Sequence, residues 1–295
     1  MSGKLKEIKE RMKAVKDTQQ ITKAMKMVSA AKLRRATDAI TQMRPYSSKL
    51  DDMLDNVVAS LGDEDLAIDF AKVREVKKAL VVIITSDRGL CGSFNANLIK
   101  TTRHTLENDT YAPLVKEGKV TLMTIGKKGK EFFTKRHDVR NEEYTEMFSD
   151  LSFSNVSNAS EYILEAFKSE EFDRVEVVYS QFKNAATQEF VADQFLPIVP
   201  EVNEDTKASD FIFEPMKEEI LKDLVPKILK TKFYRYLLDS NASEHGARMT
   251  SMDKASENCN ELLGDLGIEY NRARQAAITT ELSEIVGGAA ALAAG

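Results

Sequence analysis

Apolar residues recur at alternating spacings of three and four positions near both ends of the chain. One such seam covers residues 5–15, a second covers 33–61, and a third, longer one covers 224–277. A stripe this narrow, kept over many turns, is typical of helices that pair in a coiled coil. The pattern therefore predicts one long helix at each end of the chain.

Helix-breaking residues are rare in the same two regions. Between Gly3 and Gly62 there is no glycine and the one proline is Pro45, while no proline follows Pro226. At 1.5 Å per residue, helices over residues 4–60 and 227–286 would each be about 85–90 Å long. Each of these helices would contain several times the mean number of residues in a helix of a globular protein, which is about 11–12.

The middle of the chain has a different pattern, in which short β-branched runs alternate with helical segments. The predicted strands are 79–85, 120–125, 175–179 and 189–198, and the predicted helices are 94–107, 127–136 and 157–168. This alternation predicts a mainly parallel α/β sheet. The expected fold class is α/β (or α+β): a long antiparallel two-helix coiled coil joined to a central, Rossmann-like domain.

This organisation divides the chain into four parts. We expect an N-terminal shaft helix over 1–60, an α/β domain over 75–206, a C-terminal shaft helix over 210–286 and an apolar tip over 287–295. An acidic stretch, Glu201–Asp210, leads into the last helix. If the first helix enters the α/β domain near the point where the last one leaves it, the two helices must be antiparallel.

Charge is distributed unevenly along the first helix. Residues 1–35 have eleven Lys or Arg against three Asp or Glu, whereas residues 36–70 have two against eight. The basic residues cluster where the first apolar seam is interrupted, so we interpret this stretch as one that does not pack on the other helix. It is either an ordinary solvated face or a surface for an acidic partner. Nucleic acid is not expected, because residues 1–45 contain no aromatic side chain for base stacking.

No catalytic, cofactor or metal site can be assembled from the sequence. The turn Ser86–Asn95 lies between a strand and a helix but lacks both GxGxxG and GxxxxGK[ST], so a tight turn with a capped helix is favoured. The three histidines are isolated, and Cys91 and Cys259 are too far apart in sequence to indicate a metal cluster. The longest internal apolar run has six residues, against about 20 for a membrane span.

Four segments in order make the chain resemble the gamma subunit of F-type ATP synthases over nearly its whole length. They are ITKAMKM (21–27), SDRGLCG (86–92), SEHGARM (243–249) and NRARQAAITTELSEIV (271–286). The resemblance implies a non-catalytic, rotating central shaft inside a ring of alpha and beta subunits, where catalysis takes place in beta. It also implies an epsilon subunit and a membrane ring of c subunits as partners, with one copy of this chain per complex.

The resemblance also implies a set of partner contacts. Met25, between Lys23 and Lys26, would face an acidic lever loop of a beta subunit, and further residues would contact the surrounding ring: Arg248, Arg274, Gln275, Thr279 and Glu281. The uncharged C-terminus, residues 285–295, is by composition a frayed tail, but the resemblance implies a tip enclosed by partner side chains. Because the first helix follows Met1 directly, we expect a peripheral protein on the cytoplasmic face of a bacterial inner membrane, with the mitochondrial matrix side as the alternative.

Two other classes of function remain open from the residues alone. One is a coiled-coil scaffold or tether that carries an α/β binding domain, and the other is an α/β enzyme with helical arms. Stoichiometry separates a shaft from a tether, since a shaft is one copy among several larger partners whereas a tether usually self-associates. Nucleotide binding by the isolated chain would favour the enzyme.

Overall fold

The computed structural model describes residues 2–59, 69–135, 137–140, 142–199 and 217–294. Two long helices flank a central sheet that has shorter helices between its strands. In chain order the elements are α1 (Ser2–Ala59), β1 (Ala79–Ile84), α2 (Phe94–Leu106), α3 (Ala112–Lys116), β2 (Val120–Ile125), α4 (Lys127–Phe133), β3 (Val139–Arg140), a 3-10 segment (Glu142–Ser149), α5 (Phe153–Lys168), β4 (Arg174–Phe182), β5 (Gln188–Leu196) and α6 (Lys217–Ala294).

The two long helices confirm the prediction made from the missing helix breakers. Both helices continue through their internal proline, Pro45 in α1 and Pro226 in α6. Helix α6 also continues through Gly287 and Gly288 to Ala294. The predicted acidic stretch 201–210, the predicted start of the last helix at 210 and the end of the second seam at Leu61 lie outside the described residues.

The five strands form one mixed sheet in the order β3-β2-β1-β4-β5. β1 is paired in parallel with both β2 and β4, β3 is parallel to β2, and β5 is antiparallel to β4. The predicted, mainly parallel α/β sheet is therefore confirmed. β3 and α3 were missed by the sequence analysis because elements of two and five residues are too short to show a period.

Chain contacts divide the protein into two compact units, which are described separately. The α/β unit comprises residues 30–248, and the two-helix unit comprises residues 1–29 and 249–295. In the α/β unit, every residue of β1 is buried, as expected of a central strand covered on both faces. Leu80, Val82 and Ile84 pack with α5 and α6, whereas Val81 and Ile83 pack with α2, α3 and α4.

In the two-helix unit, side chains form pairs across the helices, and the two residue numbers of each pair add up to nearly the same value, 278 or 279. Gln19 contacts Asn260, Thr22 contacts Ser256 and Lys26 contacts Asp253. The constant sum means that residue numbers rise on one helix as they fall on the other, so the two segments are antiparallel. The most deeply buried apolar side chains of this unit are Ile8, Met252 and Leu266.

Candidate partner-binding surfaces

The basic stretch of α1 packs against α6, so the expectation that it does not pack is wrong. Between Val15 and Leu33 every third or fourth residue still points inward, but the residues at these positions are polar. Three of them, Gln19, Thr22 and Ser29, are each less than 10% exposed. A pattern of apolar positions alone does not reveal these residues, because polar side chains interrupt it. The signal was present all the same, since the 3-4 spacing continues without interruption through this stretch.

Hydrogen bonds and ion pairs hold this polar layer together. The hydroxyl oxygens of Thr22 and Ser256 are 2.8 Å apart, and the amide of Gln19 donates to the side-chain carbonyl of Asn260. The ammonium group of Lys26 lies 2.5 Å from a carboxylate oxygen of Asp253, with both side chains partly exposed. A polar layer inside a two-helix seam specifies register, because any shift leaves buried polar groups without partners.

The predicted contact residues of α1 lie beside this layer on the outer surface. Lys23 is exposed, and Met25 is half-buried at the edge of the seam. Two large apolar neighbours, Ile21 and Val28, are 60% and 58% exposed. Ile21, Met25 and Val28 follow one another at spacings of four and three, so they share one face of the helix. This outer face is therefore apolar, and Lys23 lies on a different side of the helix.

The end of α6 presents a second exposed surface. The predicted contact residues Arg274, Gln275, Thr279 and Glu281 are all exposed, and residues 281–292 are exposed without exception. The antiparallel register explains this, because Ser2 of α1 is opposite α6 near residue 271–277 and no residue of α1 lies further along. Exposed apolar side chains continue at 3-4 spacing on this segment: Ile278, Leu282, Ile285 and Leu292.

The remaining predicted contact residue, Arg248, lies inside the α/β unit. Its side chain is only 10% exposed, and its guanidinium group lies 2.6 Å from a carboxylate oxygen of Glu244, one helical turn earlier. It also donates to the backbone carbonyl oxygens of Arg88 at 3.0 Å and Gly89 at 3.3 Å. Arg248 therefore ties α6 to the loop after β1, a role that the sequence did not suggest.

Burial dominates the electrostatics around this arginine. Burial raises the pKa of the Glu244 carboxyl above its usual value, and the nearby Arg248 only partly offsets that rise. Burial, together with the charges of Arg248 and Lys32, lowers the pKa of His245 to about 4. His245 is thus neutral at physiological pH, mainly because its imidazole is buried.

The loop Ser86–Ser93 forms the tight turn that the sequence favours. The side-chain carbonyl of Asn95 accepts a hydrogen bond from the backbone N–H of Ser86, which closes the turn onto the start of α2. The Asn95 amide also donates to the Ser86 hydroxyl at 2.7 Å and to the Cys91 sulfur at 3.3 Å. These contacts bury Cys91 within the turn, which is a structural role.

Chemistry-bearing side chains are scattered across the described residues. Within the ranges that the structure covers, no group of three or more His, Cys, Asp or Glu side chains is arranged to hold a metal ion. In the same ranges no helix combines the length and apolar character that crossing a bilayer requires.

Comparison with known proteins agrees with this geometry. Residues 4–292 match the protein family described as ATP synthase. Two curated relatives, both called ATP synthase gamma chain, come from Cytophaga hutchinsonii (54% identical over 292 residues) and Christiangramia forsetii (50% over 288), each with 98% of both chains covered. The fold is similar to a chain in the mitochondrial ATP synthase of Euglena gracilis (OSCP/F1/c-ring), with a TM-score of 0.69 and 24% identity, covering 100% of this chain and 96% of the other. On the family match and the identity to these relatives, the chain belongs to the ATP synthase gamma chain family.

Proposed function

We propose that this chain is the central-stalk subunit of a proton-translocating F-type ATP synthase. It rotates inside a ring of alpha and beta subunits and couples proton flow through the membrane sector to ATP synthesis in beta. The observation that carries this proposal is the last part of α6, an unpaired helix whose exposed apolar residues recur at helical spacing. Such a surface is typical of a protein interface, and a surrounding ring of subunits would cover it on all sides.

The family membership supports the rest of the assembly. The chain is a subunit of an ATP synthase and, in this proposal, is itself non-catalytic and needs no cofactor. Its partners are the alpha and beta subunits, an epsilon subunit and the ring of c subunits, with one copy of this chain per complex. We place it peripherally at the cytoplasmic face of a bacterial inner membrane. The division into residues 1–60, 75–206, 210–286 and 287–295 is part of the same proposal.

A shaft present in one copy also explains how three identical catalytic subunits come to differ. Each beta subunit meets a different side of the shaft, so each has a different contact free energy with it. A difference in contact free energy shifts the conformational equilibrium of each subunit and with it the affinity for nucleotide. In this proposal the contacts come from Lys23, Met25 and Lys26, together with the exposed end of α6: Arg274, Gln275, Thr279 and Glu281.

The composition of the complex tests this function directly. We would tag the chain, purify it from membranes under mild conditions and weigh the proteins that purify with it. The proposal expects one copy of this chain with several copies of two larger subunits, together with a small membrane subunit. Recovery of a homodimer without larger partners would favour a coiled-coil tether instead.

A charge introduced at Met25 tests the contact surface. Met25→Lys adds a cation opposite the acidic loop that the family resemblance implies, and a partly buried charged hydrogen bond is worth about 1.5–3 kcal/mol. If that bond deepens one rotational position by about 1.4 kcal/mol, escape from it slows about tenfold. Assembly should be normal while ATP synthesis and ATP-driven proton pumping in inverted vesicles decline.

Gln20→Lys is the matched control for this variant. Gln20 is exposed, lies five residues before Met25 and about 140° away around α1, and gives the same change in charge. Coupling should be close to wild type in Gln20→Lys. Equal coupling in both variants and the wild type would show that Met25 lies on an ordinary solvated face.

A further inference from the structure

The α/β unit contains an open cleft that the proposed rotor function does not use. Its volume is about 820 Å³, within the range of roughly 300–1,000 Å³ that is usual for small-molecule sites. The loops that follow β1 and β2 form one side of it, through Asp87, Arg88 and Lys127. The carboxyl ends of parallel strands are where open α/β sheets bind ligands. The cleft therefore lies where the topology favours a small ligand.

Positive charge is in excess in this cleft. Two of its acidic side chains are already neutralised, Glu244 by Arg248 at 2.6 Å and Glu146 by Lys127 at 3.0 Å. The remaining charged side chains of the lining are three cations, Lys32, Arg35 and Arg88, and one carboxylate, Asp87. In the described parts of the chain no acidic side chain lies within ion-pair distance of these three cations.

Two observations show that these cations act on the same space. Burial and Arg248 lower the pKa of His245, and Lys32 adds to that lowering; Glu146 raises the pKa of Lys127, and Arg88 partly offsets that rise, so both charges are felt by groups that line the cleft. Asp87 is oriented by the backbone, because its carboxylate accepts the N–H of Lys127 at 3.1 Å. The cations come from α1 and from the loop after β1, so an anion between them would be held from two sides.

The lining of the cleft also includes apolar and aromatic side chains. Phe148 and Tyr234 line it together with Leu151 and Leu238. Two contacts fix the ring of Tyr234 in place. Its hydroxyl donates a hydrogen bond to the backbone carbonyl of Leu151, and its ring forms a T-shaped pair with the ring of Phe153. A cleft lined by both cations and a fixed aromatic ring suits a ligand that has an anionic group and a flat apolar group.

We propose that this cleft binds a compound with two or more linked phosphate groups, either free pyrophosphate or a nucleoside diphosphate. Guanidinium groups bind phosphate oxygens through paired N–H donors, which suits Arg35 and Arg88. The absence of a glycine-rich phosphate loop is consistent with this, since side chains rather than backbone amides would hold the phosphates. The volume of about 820 Å³ favours a small anion over an extended acidic peptide.

Titration calorimetry on the purified full-length chain tests the proposal, with pyrophosphate, ADP, adenosine and a glutamate-rich peptide as separate titrants. We expect pyrophosphate or ADP to bind and adenosine not to, without hydrolysis of ATP by the isolated chain, which separates such a site from the α/β enzyme alternative. Similar affinities for pyrophosphate and ADP would identify free pyrophosphate as sufficient, whereas tighter binding of ADP would show that the aromatic wall holds the base. Arg35→Gln and Arg88→Gln should each raise the Kd about tenfold, equivalent to about 1.4 kcal/mol.

Arg34→Gln is the matched control, because Arg34 is the exposed neighbour of Arg35 on α1 and does not line the cleft. It should leave the Kd within about twofold of wild type. Far-UV circular dichroism confirms that each variant is folded. The proposal is overturned if neither pyrophosphate nor ADP binds at about 1 mM, if Arg34→Gln weakens binding as much as Arg35→Gln, or if only a glutamate-rich peptide binds.

Discussion

Replacing Arg248 with methionine should strongly destabilise the α/β unit. Methionine keeps the length and apolar stem of the arginine but removes the charge and all N–H donors. Glu244 then loses its ion-pair partner, and the carbonyl oxygens of Arg88 and Gly89 lose hydrogen bonds from Arg248. The original expectation of a surface contact predicts a different result, in which Arg248→Met leaves stability unchanged and weakens only the binding of a partner.

The size of the effect follows from burial. Both side chains of the Arg248–Glu244 pair are 10% exposed, and removing one partner of such a pair typically costs about 3–5 kcal/mol. A domain has a total free energy of unfolding of about 5–15 kcal/mol, so the variant loses a large part of it. Protonation of Glu244 limits the loss, since a neutral carboxyl is easier to bury than a charged one.

This limit makes the loss depend on pH. Without Arg248 nearby, the pKa of Glu244 in the folded protein rises further above its ordinary value of 4.5. The folded state then binds more protons than the unfolded state between those two pKa values, so the free energy of unfolding falls as pH rises through that window. The difference between wild type and Arg248→Met should therefore be smaller at about pH 5 than at about pH 7.

Urea denaturation followed by tyrosine fluorescence measures these differences, because the chain has eight tyrosines and no tryptophan. Arg34→Met, at an exposed position on α1, controls for the loss of one positive charge. Adding Glu244→Gln to Arg248→Met should recover part of the stability at about pH 7, since no buried charge is then left unpaired. A loss below about 1 kcal/mol for Arg248→Met, or no recovery in the double variant, would refute the reasoning.

Three further predictions concern buried groups elsewhere in the chain. Burial raises the pKa of Asp239 from 3.8 to about 6, so the free energy of unfolding should fall as pH rises across that interval. In urea titrations Asp239→Asn should remove about 3 kcal/mol of this pH dependence. Thr22→Val should lower the thermal stability of the two-helix unit by about 1 kcal/mol, whereas Thr22→Val combined with Ser256→Ala should restore it, as followed by far-UV circular dichroism. Gly126→Ala should destabilise the α/β unit by more than about 2 kcal/mol in urea, because the added methyl group would lie 2.1 Å from the carbonyl oxygen of Thr85 and φ is +97°; a neutral result would mean that this turn relaxes freely.

The sequence by itself determined the elements whose period is long and regular. Apolar residues at 3-4 spacing predict α1 and α6, together with the lack of glycine between Gly3 and Gly62 and of proline after Pro226, and the β-branched run at 79–84 predicts the central strand. These signals are local, because a helix or a buried strand needs its own residues to point to one side or to be apolar throughout. The family resemblance was likewise present in the sequence, in four short segments distributed from residue 21 to residue 286.

Only the tertiary structure decided what the polar residues do. Gln19, Thr22 and Lys26 looked like an interruption of the seam, yet each has a partner on α6 more than two hundred positions away along the chain. Arg248 looked like a contact residue, yet its charge is neutralised inside the α/β unit by Glu244 and by the carbonyl oxygens of a distant loop. A polar side chain is stable when buried only if a specific donor or acceptor meets it there. Which groups meet depends on how the chain folds back on itself, and no local pattern in the sequence records that.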